Sequence, residues 1–225
     1  MVTMRNRPIS LLARAGRFFI PALLVAAAMP AFARREPPRA KPATSYPDVD
    51  VHPKDHVAIA AVPYTTGEQC KIFRIDYLKY GFMPIRIIVT NLGDRPISLK
   101  DARIYLYDAS GDRIEAAHTI DVDRQLPGPR PPGVGMGIPI GPVWVHRKPK
   151  TKDNKVEQDF NQFEYDTLVV EPHATHAGFL FYDISGLGNH PLRGSKLVFS
   201  ELRNAEGHQL WDFTIHFDKY LAAQH

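Results

Sequence analysis

The sequence predicts an all-β fold: an antiparallel β-sandwich of about seven to nine short strands. Three observations predict it. Apolar residues recur with period two in several separate stretches. Clusters of Gly, Pro, Asn and Asp divide those stretches at short intervals. No long helical pattern lies between them, which argues against a parallel sheet with crossover helices.

The first 33 of the 225 residues are expected to lie outside the fold. Arg5, Arg7, Arg14 and Arg17 accompany an apolar run from Phe18 to Met29, and Ala31-Phe32-Ala33 is a small-x-small cleavage site. That order is the pattern of a secretory signal peptide, and it predicts an exported protein, periplasmic or extracellular. An uncleaved anchor is the alternative, since Arg34 and Arg35 follow the site. Pro21 and the shortness of the run count against a membrane span, so no transmembrane segment is expected in the mature chain.

Export changes the charge argument. The 28 Lys and Arg of the chain fall to 24 once the four signal arginines are removed, which matches the 24 Asp and Glu. A balanced mature chain has no basic footprint for nucleic acid. Cys70 is the single cysteine, so no internal disulfide is expected. It reads as a small buried hydrophobe, with an intermolecular disulfide or a reactive thiol as the alternative.

From Arg34 to Lys54 the chain carries Pro37, Pro38, Pro42, Pro47 and Pro53 without apolar periodicity, and an extended, mobile tether is expected there. The domain is expected over residues 55–225. Its first strand runs from Val57 to Tyr64, with Val57, Ile59 and Ala61 on one side. Residues 66–80 fit a short helix or a strand, and Gly81 suits a helix C-terminus. From Phe82 a central strand places Ile85, Ile87 and Val89 on one face and Arg86, Ile88 and Thr90 on the other, the β-branched composition of a half-buried surface. Pro84, lacking an N–H, belongs at that strand's start or on an edge. Asn91, Gly93, Asp94 and Pro96 then turn the chain.

Residues 97–108 form the next strand, with Ile104 and Leu106 opposite Arg103, Tyr105 and Tyr107. A turn from Asp108 to Gly111 leads to a short strand near residues 113–116. Residues 119–126 suit a helical turn or two with Thr119 as N-cap. Strand patterns resume at 163–170, 174–184, 196–203 and 209–217, the last fed by a turn from Asn204 to Gly207. There Trp211, Phe213, Ile215 and Phe217 share a face, and they are expected to share a core with Ile85, Ile87 and Val89.

The segments PIRIIVTNLGDRPISL, LYDASGDRI, VVEPHATHAGFLFYDI and LVFSELRNAEGHQLWDF together resemble the immunoglobulin-like domains of secreted bacterial proteins of unknown function. The matching positions are Val89, Asn91, Gly93, Asp94, Arg95 and Pro96, then Gly178, Phe179, Phe181 and Asp183. The resemblance implies an immunoglobulin-like antiparallel β-sandwich in an extracytoplasmic, non-enzymatic setting. It supplies no catalytic residues.

The sequence itself offers no catalytic or cofactor motif. No G-x-S-x-G elbow surrounds a serine. His173 and His176 are the nearest thing to a metal pair, but they lack further ligands of known spacing, and on a strand i and i+3 face opposite ways. His52 and His56 flank Pro53. The run from Asp108 to Asp112 suggests a calcium loop but lacks the terminal Glu, and a hairpin turn explains it better. Weak metal or small-ligand binding by histidines is therefore the second reading of function.

One segment departs from the scaffold pattern. Eleven of the sixteen residues from Pro127 to Pro142 are Gly or Pro, so residues 127–158 are expected to be a loop insertion. From Gly133 to Val145 the loop carries Met136, Ile138, Ile140 and Trp144, and His146, Arg147, Lys148, Lys150 and Lys152 follow. Apolar residues beside cations suit contact with an envelope protein or an anionic lipid surface. Met136, Ile138, Ile140, Trp144, Arg147 and Lys148 are the expected contact residues. Covering an open sheet edge is the alternative role. The expected function is that of an exported, non-enzymatic interaction or structural module of the bacterial cell envelope.

Overall fold

The computed structural model describes residues 35–36, 38–126 and 155–222. The expected signal peptide and the expected contact loop lie outside the described residues.

In chain order the strands are β1 (Val49–His52), β2 (Val57–Pro63), β3 (Phe82–Asn91), β4 (Ile97–Ser98), β5 (Arg103–Tyr107), β6 (Arg113–Glu115), β7 (Val169–Val170), β8 (Thr175–Asp183), β9 (Lys196–Ser200) and β10 (Phe213–His216). The α-helices are α1 (Thr119–Gln125), α2 (Lys155–Phe163) and α3 (Asp218–Ala222). The strands pair antiparallel in two four-stranded sheets, ordered β1-β2-β3-β8 and β10-β9-β5-β6, with β4-β7 as a small third pair. The fold is mostly antiparallel sheet with few helices, as the alternation predicts.

The inner faces of the two large sheets share one hydrophobic cluster. Ile59 of β2, Ile85, Ile87 and Val89 of β3 and Tyr182 of β8 pack with Leu106 of β5, Leu197 and Phe199 of β9, and Phe213 and Ile215 of β10. Period-two alternation produces this directly, because each strand turns one apolar row inward. Phe213, Ile215 and Phe217 join Ile85, Ile87 and Val89 as expected.

Trp211 does not. It is 83% exposed. Pairing of β10 with β9 begins only at Phe213, opposite Phe199, so Trp211 precedes the strand and escapes its pleat. Leu210 is buried in the same cluster and bonds through its N–H to the carbonyl of Leu202, 2.8 Å away. It occupies the inward place that simple alternation assigns to Trp211.

The central strand β3 is buried at all ten positions, on both faces. The half-buried surface expected from its composition is corrected by what lies on the far side. There Tyr64, Phe73, Tyr77, Phe82, Phe179 and Phe181 form an aromatic cluster with Val122 of α1 and Val156, Phe160 and Phe163 of α2. Farther along that face Ala58, Ala60 and Ile88 pack beneath Ala43.

Ala43 belongs to the stretch expected to be a tether. Its N–H bonds to Thr90 Oγ1 at 2.8 Å, and the Arg86 guanidinium donates to the carbonyl of Pro38. Val49–His52 is the edge strand β1. The prolines break periodicity, yet the chain lies across the sheet because Thr90 and Arg86 on its outer face need backbone partners.

The ambiguous residues 66–80 form two 3-10 turns, Gln69–Ile72 and Tyr77–Tyr80, and Gly81 closes the second with a left-handed φ of 77°. Helix α1 starts as expected, but its N-cap is His118, whose own N–H bonds to Asp121 Oδ2 at 3.2 Å.

Candidate functional site

Helix α2 was hidden in a charged stretch. Val156, Phe160 and Phe163 stand at i, i+4 and i+7, one apolar stripe of a short helix, and that spacing was the available signal. Residues 155–158 thus belong to a helix and not to the loop insertion. Between the apolar residues Asp159 is fully buried. Its Oδ2 accepts from the Arg74 N–H at 2.8 Å and the Tyr77 hydroxyl at 3.2 Å, and its Oδ1 accepts from Arg74 Nη1 at 2.8 Å. A buried carboxylate with three donors is satisfied, and it pins α2 to the turns beneath. Burial, with Asp159 next, pushes the Tyr77 phenol far above its usual range, so it stays a donor.

The chain leaves α1 at Leu126 and returns at Lys155, the first residue of α2. Both helices insert into the same aromatic cluster. The two stems of the segment 127–154 are therefore anchored on one patch of the first sheet's outer face. Met136, Ile138, Ile140, Trp144, Arg147 and Lys148 lie on that segment, outside the described residues.

The outer edge of β8 receives backbone donors from outside the sheet at two positions. Tyr165 N–H bonds to Phe179 O at 3.0 Å, and Ala117 N–H bonds to Phe181 O at 2.7 Å. The first approach is close enough to require glycine on the neighbouring position. A Cβ on Gly178 would stand 2.5 Å from Tyr165 Cα and 2.7 Å from Tyr165 N.

The turn after β3 is built by Asn91, almost wholly buried. Its Nδ2 donates to the carbonyls of Arg95 (2.6 Å) and Val170 (3.1 Å), and its Oδ1 accepts from Gly93 N–H at 2.9 Å. Asp94 pairs with His173 Nε2 at 2.9 Å, and Arg95 pairs with Glu206. The V-x-N-x-G-D-x-P positions thus knit three loops together and line a cleft of about 310 Å³ with His56.

His173 adopts φ 57° and faces Asp94, while His176 lies in β8 opposite Val89. Among the described residues no group of three or more His, Cys, Asp or Glu side chains is arranged to hold a metal ion. Asp108 Oδ1 accepts from the N–H groups of Ser110 (2.9 Å) and Asp112 (2.8 Å), which makes it a turn-builder. Cys70 is buried in the aromatic cluster, and burial pushes its thiol up to about 12, so it stays protonated at neutral pH.

Further clefts lie among the described residues. One, of about 410 Å³, lies at an end of the sheets against Leu78, Met83, Ile184 and Leu192, with His190 and Arg193 at the rim. Another, of about 530 Å³, lies between the β1–β2 turn and Trp211. No helix among the described residues is long and apolar enough to cross a membrane.

No family model matches the chain, and neither a curated protein nor a solved structure matches it.

Proposed function

We propose that this protein is an exported, non-enzymatic interaction module of the bacterial cell envelope, with an immunoglobulin-like sandwich carrying a contact loop from Gly133 to Val145. Strand order supports the immunoglobulin-like part. The strands β2-β3-β8 against β10-β9-β5-β6 correspond to A-B-E against G-F-C-C′ of that architecture. The disulfide of antibody domains has no counterpart, since Cys70 is the single cysteine, and neither, among the described residues, has their buried tryptophan, since Trp211 is exposed.

The observation that carries the contact reading is the outer edge of β8. Tyr165 and Ala117 already donate to the carbonyls of Phe179 and Phe181 on this edge, which lessens its need of cover from the loop. The stems are anchored by buried residues of α1 and α2, as suits a segment presented from a firm base. Met136, Ile138, Ile140 and Trp144 would supply apolar contact, and Arg147 and Lys148 a salt-sensitive attraction to an acidic protein or anionic lipid.

The test replaces residues 133–145 with a short Gly/Ser turn in the full chain. Envelope crosslinking followed by mass spectrometry should lose the captured partner, or lipid association should vanish, while the melting temperature changes little. A variant that melts earlier or aggregates, with no partner captured by the unaltered protein, would refute the reading in favour of edge cover.

A further inference from the structure

We propose that the cleft between the β1–β2 turn and Trp211 is a second binding site, taking a neutral saccharide with the Trp211 indole as its stacking platform. This inference stands apart from the loop.

Trp211 lies outside the buried core. It is 83% exposed, and Leu210 fills the inward place beside it. A large aromatic ring standing in water at the mouth of a cleft presents a flat apolar face to a ligand. Across the cleft stand Val51, 37% exposed, and Pro53. The volume of about 530 Å³ falls within the range of about 300–1,000 Å³ usual for small-molecule sites.

The polar groups around this apolar strip select the ligand class. Asp55 and Asp212 offer carboxylate acceptors, and Lys54 offers a donor. An anionic ligand would meet two carboxylates. A cationic one would be drawn by the two carboxylates but opposed by Lys54, and would meet only a single aromatic face. A pyranose fits both features: its C–H face stacks on an indole, and its ring of hydroxyls donates and accepts around the edge.

The wall opposite Trp211 is rigid. The His52 ring stacks on Phe213 and lies 3.4 Å from Asp50 Oδ2 and 3.6 Å from Asp55 Oδ2. Asp55 N–H bonds back to His52 O at 3.1 Å. A ligand would therefore order little besides the indole, a condition that favours binding.

The chain has two tryptophans, Trp144 and Trp211, so two indole N–H signals report on the full-length protein by NMR. Titration with cellobiose, maltose, lactose and di-N-acetylchitobiose should move the Trp211 signal saturably for at least one sugar. Trp211→Ala should weaken that binding about tenfold or more and leave the melting temperature unchanged. Asp212→Asn should weaken it severalfold. The proposal is overturned if no sugar moves the Trp211 signal up to about 20 mM. It is overturned equally if a lysine-rich peptide saturates the site while the sugars do not, or if Trp211→Ala lowers the melting temperature and so reveals a packing role.

Discussion

The imidazole of His52 lies flat on the ring of Phe213, with centroids 3.8 Å apart and planes 16° from parallel. His52 sits on the edge strand of one sheet and Phe213 on the edge strand of the other. Beside this stack Thr214 N–H bonds to Asp50 Oδ2 at 2.8 Å. The two edges are thus joined by one ring pair and one charge-assisted hydrogen bond.

From this stack follows the first prediction. His52→Ala uncovers the face of Phe213 and removes the stacking, and it should cost about 1–2 kcal/mol. Urea unfolding followed by circular dichroism measures it. A midpoint equal to that of the unaltered protein would mean the stack adds nothing.

Gly178→Ala tests the outer edge of β8. The new Cβ would meet backbone atoms of Tyr165 at 2.5 and 2.7 Å, and backbone has no rotamer by which to move aside. A loss of about 2–3 kcal/mol is expected, as for overpacked sites. Ala177, one position before, carries its Cβ on the opposite face, so Ala177→Gly serves as a control with a smaller effect.

The anchor of α2 can be removed at one atom group. Asp159→Ala leaves the buried Tyr77 hydroxyl and the Arg74 guanidinium without their acceptor. The expected cost is about 3–5 kcal/mol, since the partner charge stays behind unpaired. Asp159→Asn, which keeps one acceptor oxygen, should fall between this variant and the unaltered protein in the same urea titration.

Asp48 supplies a pH dependence. Burial holds its carboxyl above the usual carboxylate range, against the lowering effect of the Tyr220 N–H that bonds to it at 3.0 Å. The folded protein therefore binds this proton more tightly than the unfolded chain does. Its contribution is fully present below the unfolded value and is lost as pH rises through the folded one. Replacing the carboxylate by the neutral amide in Asp48→Asn removes that loss. As pH rises from below the ordinary carboxylate range to neutrality, the melting temperature of the variant should move upward relative to the unaltered protein. A difference that stays constant across this range would show that Asp48 does not titrate there.

Strand positions were legible because alternation and turn chemistry are local. Ile85, Ile87 and Val89 share one face once their segment is extended, and Asn91 and Gly93 end the strand through a bond between near neighbours. Phe213 and Ile215 were placed by the same rule. What covers a strand's second face is a different matter, because it depends on residues far along the chain. The apolar stripe of α2 spans only Val156 to Phe163 and lies within a charged stretch, so its burial against Phe179 and Phe181 became visible only with the sheet in place. Ala43 and Pro38 reach β3 through hydrogen bonds spanning nearly fifty residues of sequence, which no local pattern records. Trp211 shows the limit most plainly. Its spacing to Phe213 equals that of every buried neighbour in the row, and composition alone gives it the strongest reason to be inside. Only the point at which β10 meets β9, and the claim of Leu210 on the adjoining space, turns it outward into water. Local periodicity determined which residues alternate; long-range pairing decided where the alternation starts to count.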